Sequence, residues 1–255
     1  SSSGVQKSHK AVIMIYLPGG PPHQDMFDLK PDAPDHIRGE FQPIATNLPG
    51  VQITEHMPRL AQMMHKFVAI RTIVGSDGRH ASFQFITGRN FTQQPQGGWP
   101  GIGSVIAKLQ GQVDPAVPAD IDLFMKMQHD PYNHPGSGFL GSAYKAFVPD
   151  GEVMANMTLN GIGVDRLGDR RQLLAGLNGF RRQVDASAAK QSFDPFTEQA
   201  LGVLTSSKLV DALNLDKEDP KVRESYGTDD PAALPYGHAG YQCIMSKFLM
   251  ARRCI

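Results

Sequence analysis

The chain has 255 residues, 40% of them hydrophobic and 20% charged, which is enough for one large α/β domain or two small ones with a real core. Its formal net charge is zero, and no basic block exists to neutralise a phosphate backbone, which argues against a nucleic-acid partner. The longest apolar run, Ala11 to Leu17, is far shorter than the roughly 20 residues that cross a bilayer.

In chain order, the first ten residues (Ser1 to Lys10) read as a flexible lead-in. Ala11 to Leu17 (AVIMIYL) reads as a buried strand, apolar on both faces and stopped by Pro18. Open α/β sheets place their sites just beyond such strand ends. Asp28 to Gly50 reads as a polar surface excursion, Glu55 to Lys66 as a helix, and Phe67 to Val74 (FVAIRTIV) as a second strand. His80 to Thr87 predicts a short helix closed by Gly88, and Pro100 to Leu109 another. Ile121 to Met127 reads as a third strand. His129 to Gly141 is a loop rich in Pro, Gly and His.

Beyond Asp165 the pattern is mostly helical. Leu167, Leu173, Leu174 and Leu177 recur at helical spacing. Asp194 and Pro195 signal a second start, followed by Phe196, Ala200, Leu209 and Leu213. Asp219 to Tyr236 reads as a polar loop and Tyr241 to Cys254 as a last helix. No strand follows that helix, so the expectation is a single α/β domain over residues 1–255 that stops before it is complete. The two cysteines, Cys243 and Cys254, have helix-like surroundings that argue against a disulfide.

Three stretches offer chemistry. His23, Asp25 and Asp28 follow the first strand and supply nitrogen and oxygen donors for a divalent metal. The plain alternative is a polar turn with Asp28 as a cap. Ser76 to Ser82 follows the second strand and opens a helix, whose free N–H groups suit a phosphate or sulfate. There Arg79 offers a forked donor, His80 a base or ligand, and Ser82 a nucleophile or merely a cap. The third stretch, His129, Asp130 and His134, offers metal donors but reads more simply as solvated surface. Trp99 reads as a core anchor or pocket wall.

Five segments in order carry a resemblance: LPGGPPHQDMFDLKPDAP, IRGEFQPIATNLPGVQITEHMPRLAQ, VAIRTIVGSDGRHASFQFITGR, LNGIGVDRLGDRRQLL and TSSKLVDALNLDKEDPKVRESYG. Together they resemble the bacterial family called domain of unknown function 1501, which looks like a member of the alkaline phosphatase and sulfatase superfamily. The resemblance implies a largely parallel α/β sheet flanked by helices, with C-terminal strands lying beyond this chain. It implies a divalent metal (zinc, calcium or magnesium) at the strand ends, held in part by Asp25 and His23, and a nucleophile matching Ser82 beside Arg79 and His80. It implies a small-molecule or glycan ester of sulfate or phosphate as substrate. It also implies an exported, periplasmic setting, although no export signal is visible here. Three departures stand out. Pro22 and Met26 replace hydroxyl residues of the family's first motif, and Ala81 stands where an aspartate is frequent. Those losses, with ligands expected beyond Ile255, favour a second expectation: a binding or structural protein on the same fold without turnover.

Overall fold

The computed structural model describes residues 10–17, 20–114, 117–124, 130–149, 207–229 and 245–255. The chain divides into two compact units, one over Met14–His80 and one formed by Ser1–Ile13 with Ala81–Ile255.

In the Met14–His80 unit a tight hairpin carries the core. Strand β1 (Pro43–Ala45) pairs antiparallel with β2 (Gln52–Thr54), in the register Pro43 to Thr54, Ile44 to Ile53 and Ala45 to Gln52. Composition predicts a polar surface excursion over Asp28 to Gly50, and β1 interrupts it. Pro43 is tolerated because it opens an edge strand. Gly50 turns the chain at φ 78°, a backbone state that glycine enters at no steric cost. The Thr46 hydroxyl donates to the Val51 carbonyl at 2.9 Å and locks the loop. Helix α1 (Pro58–Ala61) starts on a proline at its first position, which lacks only an N–H that has no helical partner there. Ile53, Ala61 and Met64 are buried together, with Phe27, Ile44 and Leu60 packed around them.

The helix expected over residues 55–66 is broken in two. α1 lasts four residues, and a 3-10 turn covers Met64–Lys66. Asn47 supplies the reason. Its backbone N–H donates to Ala61 O at 3.0 Å. Its side-chain amide donates to Gln62 O at 2.8 Å, and its side-chain oxygen accepts from His65 N at 3.1 Å. One side chain thus takes backbone groups that a continuing helix would use.

The segments expected as parallel strands, residues 11–17 and 67–74, form no strand. They leave apolar side chains in solvent: Val12 is 82% exposed and Val74 90%. A strand apolar on both faces is stable where both faces are covered, and these are not. Ile121, in the third expected strand, makes a single parallel bridge to Phe147, while residues 125–127 lie outside the described residues. Among the described residues the one sheet is the two-stranded hairpin.

In the second unit, α2 (Phe83–Thr87) buries Phe83 and Ile86 and ends on Gly88 at φ 66°, ψ 20°. That left-handed residue is the common glycine stop. α3 (Ile102–Gln110) begins at Gly101 and stops at Gly111. The expected helices beginning at Asp165 and Asp194 fall largely outside the described residues, but the end of the second is α4 (Ser207–Leu213). Its Leu209 and Leu213 are buried against Ile121, Phe147 and Cys254. α5 (Pro220–Ser225) lies inside the expected polar loop. Asp219 caps it, accepting from Lys221 N at 2.7 Å, with Pro220 at the first position. That is the same Asp–Pro start signal that the sequence offers at Asp194. α6 (Met245–Arg253) matches the expected last helix and buries Leu249. Arg253 closes α4 from α6: its guanidinium donates to Ala212 O and Asp211 O, each at 2.7 Å, and to Glu218 Oε2 at 2.8 Å. The hydrogen bond from Arg253 holds the Glu218 carboxyl below its ordinary range. Cys254 is a free thiol, which burial pushes up.

Candidate functional site

In the Met14–His80 unit, His23–Asp25 forms one 3-10 turn. The His23 carbonyl accepts from Met26, Phe27 and Asp28 N at 3.2, 3.2 and 3.0 Å, so the backbone coils on itself and brings 23, 25 and 28 onto one short stretch. The Asp28 carboxylate meets Lys30 Nζ at 2.8 Å, His23 Nδ1 at 3.5 Å and Arg71 Nη1 at 3.7 Å. The hydrogen bond from Lys30, with help from Arg71 and His23, holds the Asp28 carboxyl below the usual carboxylate range. Lys30 itself sits at φ 52°, a left-handed state costly for a long side chain.

Asp25 is placed differently. Its Oδ1 lies so close to Gly39 that a methyl group there would overlap it. Gly39 also lines a half-open cleft of about 230 Å³ bounded by Leu29, Pro31, Arg38, Glu40, Phe41 and Pro43. The first expected site thus has a cleft at its back, walled by one cation, Arg38, which is itself paired with Asp35 at 2.6 Å.

The imidazole and carboxylate donors of this turn suit zinc or another divalent ion. His23 and Asp28 lie close enough to share one, but Asp28 is already neutralised by Lys30 and Arg71. Among the described residues no group of three or more His, Cys, Asp or Glu is arranged to hold a metal ion.

Arg79 and His80 are exposed residues of the same unit, in the bend that leads to α2. Arg79 N donates to Asp77 O at 2.8 Å. Ser82 belongs to the other unit. It is 1% exposed, and its hydroxyl donates to Asn133 O at 2.6 Å. Its N–H donates to Pro131 O at 2.8 Å. It makes no side-chain cap to α2. Its observed work is to pin the 131–133 loop to the start of that helix.

That loop carries His134 to a cluster that motif reading left out. His134 Nδ1 accepts from Gly136 N at 3.0 Å, so its Nε2 carries the proton in the neutral ring. Its ring lies on Gly101, where a methyl group would fall 2.9 Å from Cε1 and 3.1 Å from Nε2. The Asp120 carboxyl group lies on Gly103 in the same manner. Burial pushes the Asp120 carboxyl up, against the pull of His134. Asp120 Oδ2 and the fully buried Ser104 hydroxyl have no hydrogen-bond partner among the described residues. The available signal in the sequence was the Gly101–Ile102–Gly103–Ser104 run at a helix start. His129, the companion histidine, lies outside the described residues.

Trp99 is neither exposed nor fully buried. Its Nε1 donates to Gln93 O at 2.7 Å, Arg89 lies 4.5 Å over its ring, and Phe139 meets it edge-on at 5.6 Å. It anchors loops, where the sequence predicts a core anchor or pocket wall.

Among the described residues no helix is long and apolar enough to cross a membrane. The model of a family described as protein of unknown function (DUF1501) matches residues 9–255, and the chain belongs to that family. No curated protein and no solved structure matches the chain.

Proposed function

We propose that the chain is a metal-dependent hydrolase of phosphate or sulfate esters, built on an alkaline phosphatase-like α/β plan and working in an exported compartment. The observation that carries this reading is the His23–Asp28 turn. In that stretch the His23 imidazole meets the Asp28 carboxylate at 3.5 Å, with Lys30 and Arg71 beside Asp28, while the Asp25 carboxylate stands against Gly39 on the wall of a cleft. Support for the superfamily plan comes from the ordered segment resemblance, not from the sheet.

In this reading His23 and Asp25 hold the ion and Asp28 orients His23. The ion, when bound, acts as a Lewis acid on the ester oxygen. Arg79, exposed on its bend, pairs with the ester's anionic oxygens as a forked donor. His80 moves the proton of the attacking or leaving oxygen. The family resemblance names Ser82 as the nucleophilic oxygen, a role that would require it to give up its bond to Asn133 O. The substrate is a small-molecule or glycan ester.

A second reading, binding without turnover, is favoured by one specific observation: the Ser82 hydroxyl is buried and already bonded. One experiment separates the two. Purified protein is assayed for divalent metal by mass spectrometry, with Asp25→Ala as control, and for release of phosphate or sulfate from aryl esters. Near-stoichiometric metal that Asp25→Ala loses, with ester turnover, supports the hydrolase. Metal without turnover supports the binding protein. Metal in neither form sinks the metal site.

A further inference from the structure

We propose that the first turn of α3 is an oxyanion subsite, suited to a phosphate or sulfate group, and that the Asp120 carboxyl group plugs it in the unliganded chain. The site lies in the unit that holds α2 and α3, and it does not rest on the ester-hydrolase reading.

The argument starts from backbone donors. The ladder of α3 begins with Val105 N donating to Gly101 O at 3.1 Å. The N–H groups of Ile102, Gly103 and Ser104 therefore have no helical partner, and none of them donates a hydrogen bond among the described residues. A nine-residue helix also presents its positive dipole end there. No side chain caps it, because Gly101 occupies the capping position.

A second, independent observation points to a ligand. Ser104, on that same turn, is fully buried, and its hydroxyl has no partner among the described residues. A buried hydroxyl left unpaired costs free energy, and this one sits beside three unpaired N–H groups. Four donors at one helix start make an anion cradle.

Asp120 occupies it imperfectly. Its carboxyl group lies against Gly103, in the space that any side chain at that position would fill. Yet it accepts no hydrogen bond from the turn, and its Oδ2 is buried without a partner among the described residues. A planar carboxyl group entering from the side satisfies none of the donors. A tetrahedral oxyanion entering along the helix axis satisfies several. The His134 ring, seated on Gly101 at the same turn, supplies its Nε2–H beside the cradle. The Asp120 carboxyl group, seated beside Gly103, opposes an incoming anion, so ligand entry is expected to displace it.

The test is a titration of the full chain with inorganic phosphate at fixed ionic strength, followed by calorimetry and by the amide resonances of residues 102–104. Asp120→Ala is expected to bind phosphate at least tenfold more tightly than wild type, and Asp120→Asn, which keeps the shape, to tighten it in the same direction. Adding Ser104→Ala to Asp120→Ala is expected to lose most of that gain. The proposal is overturned if neither Asp120 variant tightens binding. It is equally overturned if chloride produces the same response, or if the resonances of Ile102, Gly103 and Ser104 stay still while phosphate binds.

Discussion

Gly136 and Gly138 form a natural controlled pair. Both have positive φ, 82° and 50°, so alanine at either costs about 1–2 kcal/mol for the left-handed backbone. They differ in what the new methyl group meets. At Gly136 it meets nothing within 4 Å. At Gly138 it strikes backbone: Gly98 O, the Trp99 carbonyl carbon at 2.5 Å and Pro100 N at 2.6 Å. Backbone cannot rotate away as a side-chain tip can, so overpacking adds about 1–3 kcal/mol. Gly136→Ala should therefore lose about 1–2 kcal/mol and Gly138→Ala about 2–5 kcal/mol, summing the two effects. Urea unfolding read by tryptophan fluorescence suits the test, because the single Trp99 sits at the contact. The Phe139 N to Gly98 O bond at 2.9 Å and the Trp99–Phe139 edge contact span the same junction. Equal losses for the two variants would refute the claim that the 138 loop is pressed onto the Gly98–Pro100 backbone.

Three further outcomes are expected. Arg253→Met removes the donors to Ala212 O and Asp211 O and should cost about 1.5–3 kcal/mol in urea unfolding; a change below about 0.5 kcal/mol would mean that water replaces them fully. Asp120→Asn should raise the melting temperature at pH 7 and leave it unchanged near pH 3. Burial raises the folded-state value of Asp120, with His134 and Asp122 the facing charges. The penalty is therefore absent below the unfolded value of about 4, grows between the unfolded and the raised folded value, and stays constant above the latter; a gain at pH 3 as large as at pH 7 would refute this. Gly39→Ala should displace Asp25 from its seat and lower metal retention as Asp25→Ala does, while circular dichroism stays unchanged; intact retention would show that Asp25 holds no ion from that position.

Local signals in the sequence were legible where a few neighbouring residues decide the outcome. Gly88 ends α2, Gly111 ends α3, and Leu209 and Leu213 point into a core, each as periodicity and glycine chemistry predict. Asp219 and Pro220 carried the same start signal as Asp194 and Pro195, and α5 was overlooked because its surroundings are polar. Long-range competition was not legible. Nothing near residue 62 announces that Asn47, 15 positions earlier, takes the Gln62 carbonyl and shortens α1. The hairpin was hidden because Pro43 and the polar residues around it look like loop, while its pairing is with Gln52 to Thr54. The runs at 11–17 and 67–74 read as strands because apolar, β-branched composition reports a wish for burial; it does not supply the neighbour that would cover them.

The site residues follow the same division. Motif reading ranks residues by their own chemistry, so it selects His23, Asp25, Arg79, His80 and Ser82. The structure ranks them by what surrounds them. Ser82, chosen as a reactive oxygen, spends its hydroxyl on Asn133 O. Asp28, which the sequence offers as a metal donor or a cap, gathers three cationic or ionisable partners. Two other carboxyl groups are seated by glycines far along the chain: Asp25 by Gly39 and Asp120 by Gly103. In both, the missing side chain of one residue makes room for the acid of another. Such a seat fixes where a carboxyl group stands without fixing a counter-charge beside it. A carboxyl group paired by Lys or Arg, as Asp28 is, has its charge already answered. One seated on bare backbone retains unmet bonding capacity, as the unpartnered Oδ2 of Asp120 shows. On that physical ground the glycine-seated acids are the stronger places to look for ligand chemistry, ahead of the acid with the most ion pairs.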